Sequence, residues 1–177
     1  MIVIGLLVPV CAAAGAARGA HAALPSCRTS QFTVRFGPLV SEATGQHTIT
    51  LRLINRGRRA CVLFGYPKIS VYDRAGLIPF AITHGGDQMV TARRPRRVAV
   101  RHGRAAFVVL NHYRCDLGTL RTAAILRIGS GRVTQSGMAA IRMTDPDRKL
   151  DYCGRGDPGS TLAVSPFVPT PEAGLRH

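Results

Sequence analysis

The chain has no tryptophan and few aromatics of any kind, 6% of 177 residues. Its core must therefore rest on Val, Ile and Leu, with a few Phe and Tyr. Acid is scarce too: nine Asp and Glu stand against 24 Lys and Arg, a formal charge of +15. So few carboxylates leave few candidates for general acid–base work, and no paired-carboxylate, Walker or G-x-S-x-G motif occurs. No C-x-x-C pair is present, which argues against a zinc site. No apolar run reaches the ~18 to 20 residues that a membrane-spanning helix needs. No segment carries a helical stripe with caps at its ends. These absences lead to the expectation of a non-enzymatic chain with no cofactor and no metal.

What is present is an ordinary globular balance, 46% hydrophobic and 19% charged. One domain is expected at this length, with roughly 70% of the unfolded surface buried. The positive charge has two readings. It attracts anionic lipid, acidic polymer or nucleic acid, or it reflects a high-GC genome, since Lys occurs only at Lys68 and Lys149 while Arg, Ala and Gly abound.

Residues 1–22 read as a signal peptide. The run from Ile2 to Ala17 is apolar, and Ala20-His21-Ala22 fits an A-x-A cleavage site, so the mature chain is expected from Ala23. No Lys or Arg precedes the apolar core. Cys11 follows Val8-Pro9-Val10 and lacks the small residue that a lipobox places before its cysteine. Four cysteines then remain: Cys27, Cys61, Cys115 and Cys153. An even count in an exported chain implies two disulfides. Three pairings are possible. Cys27–Cys61 and Cys115–Cys153 is the favoured one, because each joins segments that suit neighbours in a small sheet protein. Residues 23–168 form the expected domain, and 169–177, with Pro169 and Pro171, the expected flexible tail.

The body reads as strands. In His47 to Asn55, Ile49, Leu51 and Leu53 share one face while Thr48, Thr50 and Arg52 share the other. That period of two marks a half-buried strand. Similar segments run over Phe32–Phe36, Ile69–Tyr72, Arg97–Arg101, Ala106–Leu110, Ala123–Ile128, Ala139–Met143 and Thr161–Val168. Leu117 to Ala124 could form at most a short helix. Many short strands between Gly- and Pro-bearing turns imply an antiparallel sandwich or barrel. Between two strands lies Gly65-Tyr66-Pro67. Gly65 offers backbone freedom, Tyr66 a ring for the core with a wet hydroxyl, and Pro67 a fixed φ. This is a structural corner, not a reaction centre.

Arg93, Arg94, Arg96 and Arg97, followed by Arg101 and Arg104, form the strongest local signal. Guanidiniums meet phosphate, sulfate or carboxylate bidentately, so these six are anion-binding candidates. The competing reading is a solvated edge strand guarded from aggregation by charge and Pro95. Nucleic acid is not expected as a partner, since the cluster lacks interleaved aromatics for base stacking. His84, His102 and His112 with Met89, Met138 and Met143 fit no copper or zinc spacing, and the histidines read as scattered surface residues. Asp145-Pro146-Asp147 and Asp151 lack the glycine and closing glutamate of a calcium loop. His84-Gly85-Gly86 resembles the oxyanion glycines of esterases, but no nucleophile elbow accompanies it.

One arrangement is familiar. Cys27 is followed by Leu53-Ile54-Asn55, Cys61-Val62-Leu63-Phe64-Gly65-Tyr66-Pro67, Val71-Tyr72-Asp73 with Gly76, Val98-Ala99-Val100 with Gly103 and Ala106, then Cys115, Cys153 and Val164-Ser165-Pro166-Phe167. From Cys27 to Phe167 the chain resembles the domain of unknown function 4232, a family of exported proteins found mainly in actinobacteria. The resemblance implies an immunoglobulin-like β-sandwich and export; it carries no catalytic residue across. Arg101-His102-Gly103, where members often place Pro before Gly, and the Arg-rich loop before Val98 depart from the pattern. The expectation is an all-β, disulfide-stapled, exported module of the cell envelope, binding anionic polymer or lipid headgroups through its Arg edge. The alternative is a protein–protein recognition module using its sandwich-end loops.

Overall fold

The computed structural model describes residues 23–116, 118–131 and 133–176. The expected signal segment, residues 1–22, and Cys11 within it lie outside them. Thirteen strands follow in order: β1 Phe32–Phe36, β2 Gln46–Asn55, β3 Cys61–Leu63, β4 Lys68–Asp73, β5 Gly76–Ile78, β6 Ala81–His84, β7 Val98–Val100, β8 Ala105–Tyr113, β9 Arg121–Thr122, β10 Ile125–Gly129, β11 Ala139–Arg142, β12 Asp151–Tyr152 and β13 Thr161–Val164. The helical turns among the described residues are short 3₁₀ pieces. Within the short helix allowed for Leu117 to Ala124, Leu117 lies outside the described residues, and the described part holds β9, which pairs with β12.

A five-stranded sheet runs β1-β2-β8-β13-β6, and a four-stranded sheet runs β11-β10-β4-β5. Ladders β3–β7 and β9–β12 stand beside them. Every ladder is antiparallel except β13–β6, which is parallel. Parallel neighbours need a long return of the chain between them, and here β7 through β12 supply it. Ile49, Leu51 and Leu53 of β2 and Val108 and Leu110 of β8 share one core with Val71 of β4 and Leu126 and Ile128 of β10. The two main sheets thus close on a common interior, as the apolar face of each strand requires.

The other face of β2 is not the solvent face that its alternation implies. Thr48 and Thr50 are 3% and 1% exposed. The loop after β1 covers them: the Thr50 hydroxyl donates to the Pro38 carbonyl (2.5 Å), and the Thr48 N–H donates to Glu42 Oε1 (2.6 Å). A second small cluster of Val90, Val109 and Ala163 forms on the same side, with Leu175 packed against it. Leu175 also corrects the expected flexible tail. It bridges Val90, Gly174 accepts from the Thr91 N–H (3.0 Å), and the Arg176 N–H donates to Met89 (2.8 Å). Leu175, partly buried, packs against Val90, Val109 and Ala163, so the tail is held down despite its prolines.

Both disulfides pair as expected, Cys27–Cys61 and Cys115–Cys153. The corner also forms. Gly65 has φ +88°, a region that side chains resist. Its carbonyl accepts from the Phe167 N–H (3.0 Å). The Tyr66 ring stacks on the His84 imidazole at 4.2 Å, rather than on the aliphatic core.

Candidate anion-binding groove

The segment from Thr91 to Arg97 joins β6 to β7. It starts from Val90, fully buried. The Thr91 hydroxyl accepts from the Arg93 N–H (3.3 Å) and starts the turn. Behind it, the Gly86 N–H donates to the Thr91 carbonyl (3.3 Å). Gly85 has φ +67°, and a Cβ there would lie 2.5 Å from that same carbonyl oxygen. The glycines of His84-Gly85-Gly86 thus allow a close backbone approach rather than shaping an oxyanion hole. Val98 and Val100 then turn inward on β7, and Ala99 faces out. Val100 sits opposite Cys61, so the Cys27–Cys61 bridge backs this wall.

The facing wall is the chain after β13. Val168 exchanges hydrogen bonds with Phe107 (2.8 and 3.0 Å), and Phe167 is tied to the Gly65 corner. Ala173 closes one end. Between these walls lies a groove of about 670 Å³. Arg93, Arg94, Arg96 and Arg97 line it, over a floor that includes Val98, Ala99, Val168 and Ala173. Four of the six candidate arginines are therefore brought together. Arg101 and Arg104 are not. They stand at the turn after β7, where Arg104 lines a separate cleft beside Arg52 and Pro171. Three strand residues carry the chain roughly 10 Å, enough to part the two halves of the cluster.

No acidic residue lines the groove. Among the described residues, none of the four guanidiniums makes an ion pair or a side-chain hydrogen bond. Other arginines do. Arg121 grips Asp73 through two bonds of 2.6 Å, Arg114 reaches Glu42 at 3.1 Å, and Arg148 pairs with Asp145. The Arg121 guanidinium holds the Asp73 carboxyl down to about 2. Three of the acids, Asp73, Glu42 and Asp145, are thus engaged away from the groove. Asp145 also accepts from the Asp147 N–H (3.0 Å), which makes that acidic stretch a turn.

A second cavity, about 700 Å³, has mixed charge. Glu42, His47, His112, Arg114, Lys149 and Asp151 line part of it. His47 and His112 sit directly opposite across β2 and β8, with ring centroids 5.5 Å apart. His112 is 2% exposed, which corrects its reading as a surface residue. Burial, and then the nearby His47, push its pKa below the usual histidine range. His47 carried no signal alone; only strand register shows that it pairs with His112. Among the described residues, no cluster of three His, Cys, Asp or Glu could hold a metal ion.

A family model matches residues 27–167, and the chain belongs to that family, described as Domain of unknown function (DUF4232). The match runs from the first bridged cysteine to Phe167 on the groove wall. No curated protein and no solved structure matches the chain.

Proposed function

We propose that this member of the family is an exported, non-enzymatic binding module of the cell envelope. It holds an anionic envelope polymer or lipid headgroups in the Arg93–Arg97 groove. One observation carries this reading: four guanidiniums with no ion pair among the described residues converge on one groove that no carboxylate lines. Clustered like charge costs free energy through mutual repulsion. An anionic ligand offsets that cost by accepting charge-assisted, bidentate hydrogen bonds. A purely protective charged edge needs no enclosed volume.

Two disulfides support an oxidising, extracytoplasmic location. No helix among the described residues is long and apolar enough to cross a membrane. The test is reversal of Arg94, Arg96 and Arg97 to Glu, followed by sedimentation with isolated envelopes. The reversed chain is expected to stay in the supernatant while the parent pellets. Equal pelleting of both contradicts the proposal.

A further inference from the structure

A polyanion requires only the guanidiniums. The groove offers more, because most of the surface it exposes is apolar. Val98, Ala99, Pro166, Val168, Pro169 and Ala173 supply that floor, and the arginines all come from one side, residues 93 to 97. Its volume, about 670 Å³, falls within the roughly 300–1,000 Å³ of small-molecule sites. The floor is preformed. The Val168–Phe107 pair, the Phe167–Gly65 bond and the Thr91–Gly174 bond fix its walls. A site with cations along one side and a rigid apolar floor matches a ligand divided the same way.

We infer that the groove takes a single-chain anionic amphiphile, with its phosphate-type head on Arg93, Arg94, Arg96 and Arg97 and its alkyl chain along the Val98–Val168–Ala173 floor. This rests on the anion-binding reading and adds the ligand's second half. An extended polyanion would leave the apolar floor wet, whereas an alkyl chain removes that surface from water.

The experiment is calorimetric titration of the mature chain with methyl, butyl and octyl phosphate below micelle formation, alongside inorganic tripolyphosphate and an oligoglutamate peptide. Affinity is expected to rise about threefold to fourfold for each methylene that reaches the floor. Ala99→Gln, at an exposed floor position, is expected to abolish that chain-length gain. Reversing Arg94, Arg96 and Arg97 to Glu is expected to abolish both that gain and tripolyphosphate binding. If tripolyphosphate or oligoglutamate binds while octyl phosphate binds no better than methyl phosphate, the amphiphile inference fails and the anion reading stands. If no anion binds, both fail. If octyl phosphate binds equally to the charge-reversed chain, the alkyl chain is held without its head and the inference fails.

Discussion

The arginine groove and the histidine cavity enclose similar volumes, about 670 and 700 Å³, yet they are opposite in character. The cavity mixes Glu42 and Asp151 with Arg114 and Lys149, so much of its charge is answered from within. The groove has cations alone. Volume therefore does not mark the site. In a chain with nine acidic residues, their placement decides which arginines are structural and which stay available. Asp73, Glu42 and Asp145 bind Arg121, Arg114 and Arg148, and the groove receives none.

The largest expected effect falls on the wall that backs the groove. Replacing Cys27 and Cys61 together by Ser should cost about 3 to 4 kcal/mol of stability, because the bridge closes a loop with a sequence separation of 34. Urea unfolding measures it. The same change should weaken anion binding, since β7 loses its anchor, and should leave the His112 environment unchanged.

Gly65→Ala should cost about 1 kcal/mol, because Ala resists φ +88° at the corner that holds Phe167. Thermal unfolding would show it.

The histidine cavity should respond to pH where the groove does not. The pKa of His112 is lowered in the fold, so the unfolded chain takes up its proton first. Above the unfolded histidine value near 6.5 the residue costs nothing differential. As pH falls through that value, stability should decline until the lower folded pKa is passed. His47, Glu42 and Asp151 lie close to it, and the neighbouring His47 adds to the lowering that burial causes. His112→Leu should flatten the stability profile between pH 7 and 5 relative to the parent chain. Asp73 behaves in the opposite sense. Its carboxyl is held near 2, so its contribution is complete above the unfolded value of 3.8 and is lost only as pH falls toward 2.

The smallest expected change in stability is at the groove itself. Reversing Arg94, Arg96 and Arg97 should shift the unfolding free energy by less than about 0.5 kcal/mol per site, since all three are exposed and make no ion pair among the described residues. Arg121→Ala, by contrast, should lower the unfolding midpoint, because Asp73 then loses its partner. If the groove reversal destabilised the fold as much, the arginines would be structural and the contrast between paired and free cations would collapse.

Much of this was legible before any coordinates. β2 announced itself by its period of two, and the Cys27–Cys61 and Cys115–Cys153 pairing was the favoured one of three. The Arg93–Arg97 run stood out by composition. What stayed hidden depends on contacts distant in sequence. Thr48 and Thr50 look solvent-facing until the loop at Pro38 covers them. Leu175 looks like part of a tail until Val90 and Val109 give it a seat. β6, exposed along its length, carries little apolar pattern and gains its place only through parallel pairing with β13. Most of the groove's floor, Pro166, Val168, Pro169 and Ala173, comes from residues beyond position 165, far from the arginines it accompanies, so the sequence showed the charge without the shape.

The most direct test of the anion-binding claim is sedimentation of the chain from Ala23 onward with isolated cell envelopes across a salt series. Binding through unpaired surface guanidiniums should be strong at low salt and fade steeply as ions screen it, with a Debye length near 8 Å at physiological strength. Binding that holds undiminished at high salt would indicate a packed interface with an apolar centre. That result, or no binding at any salt, would contradict the claim that these four arginines exist to hold an anion.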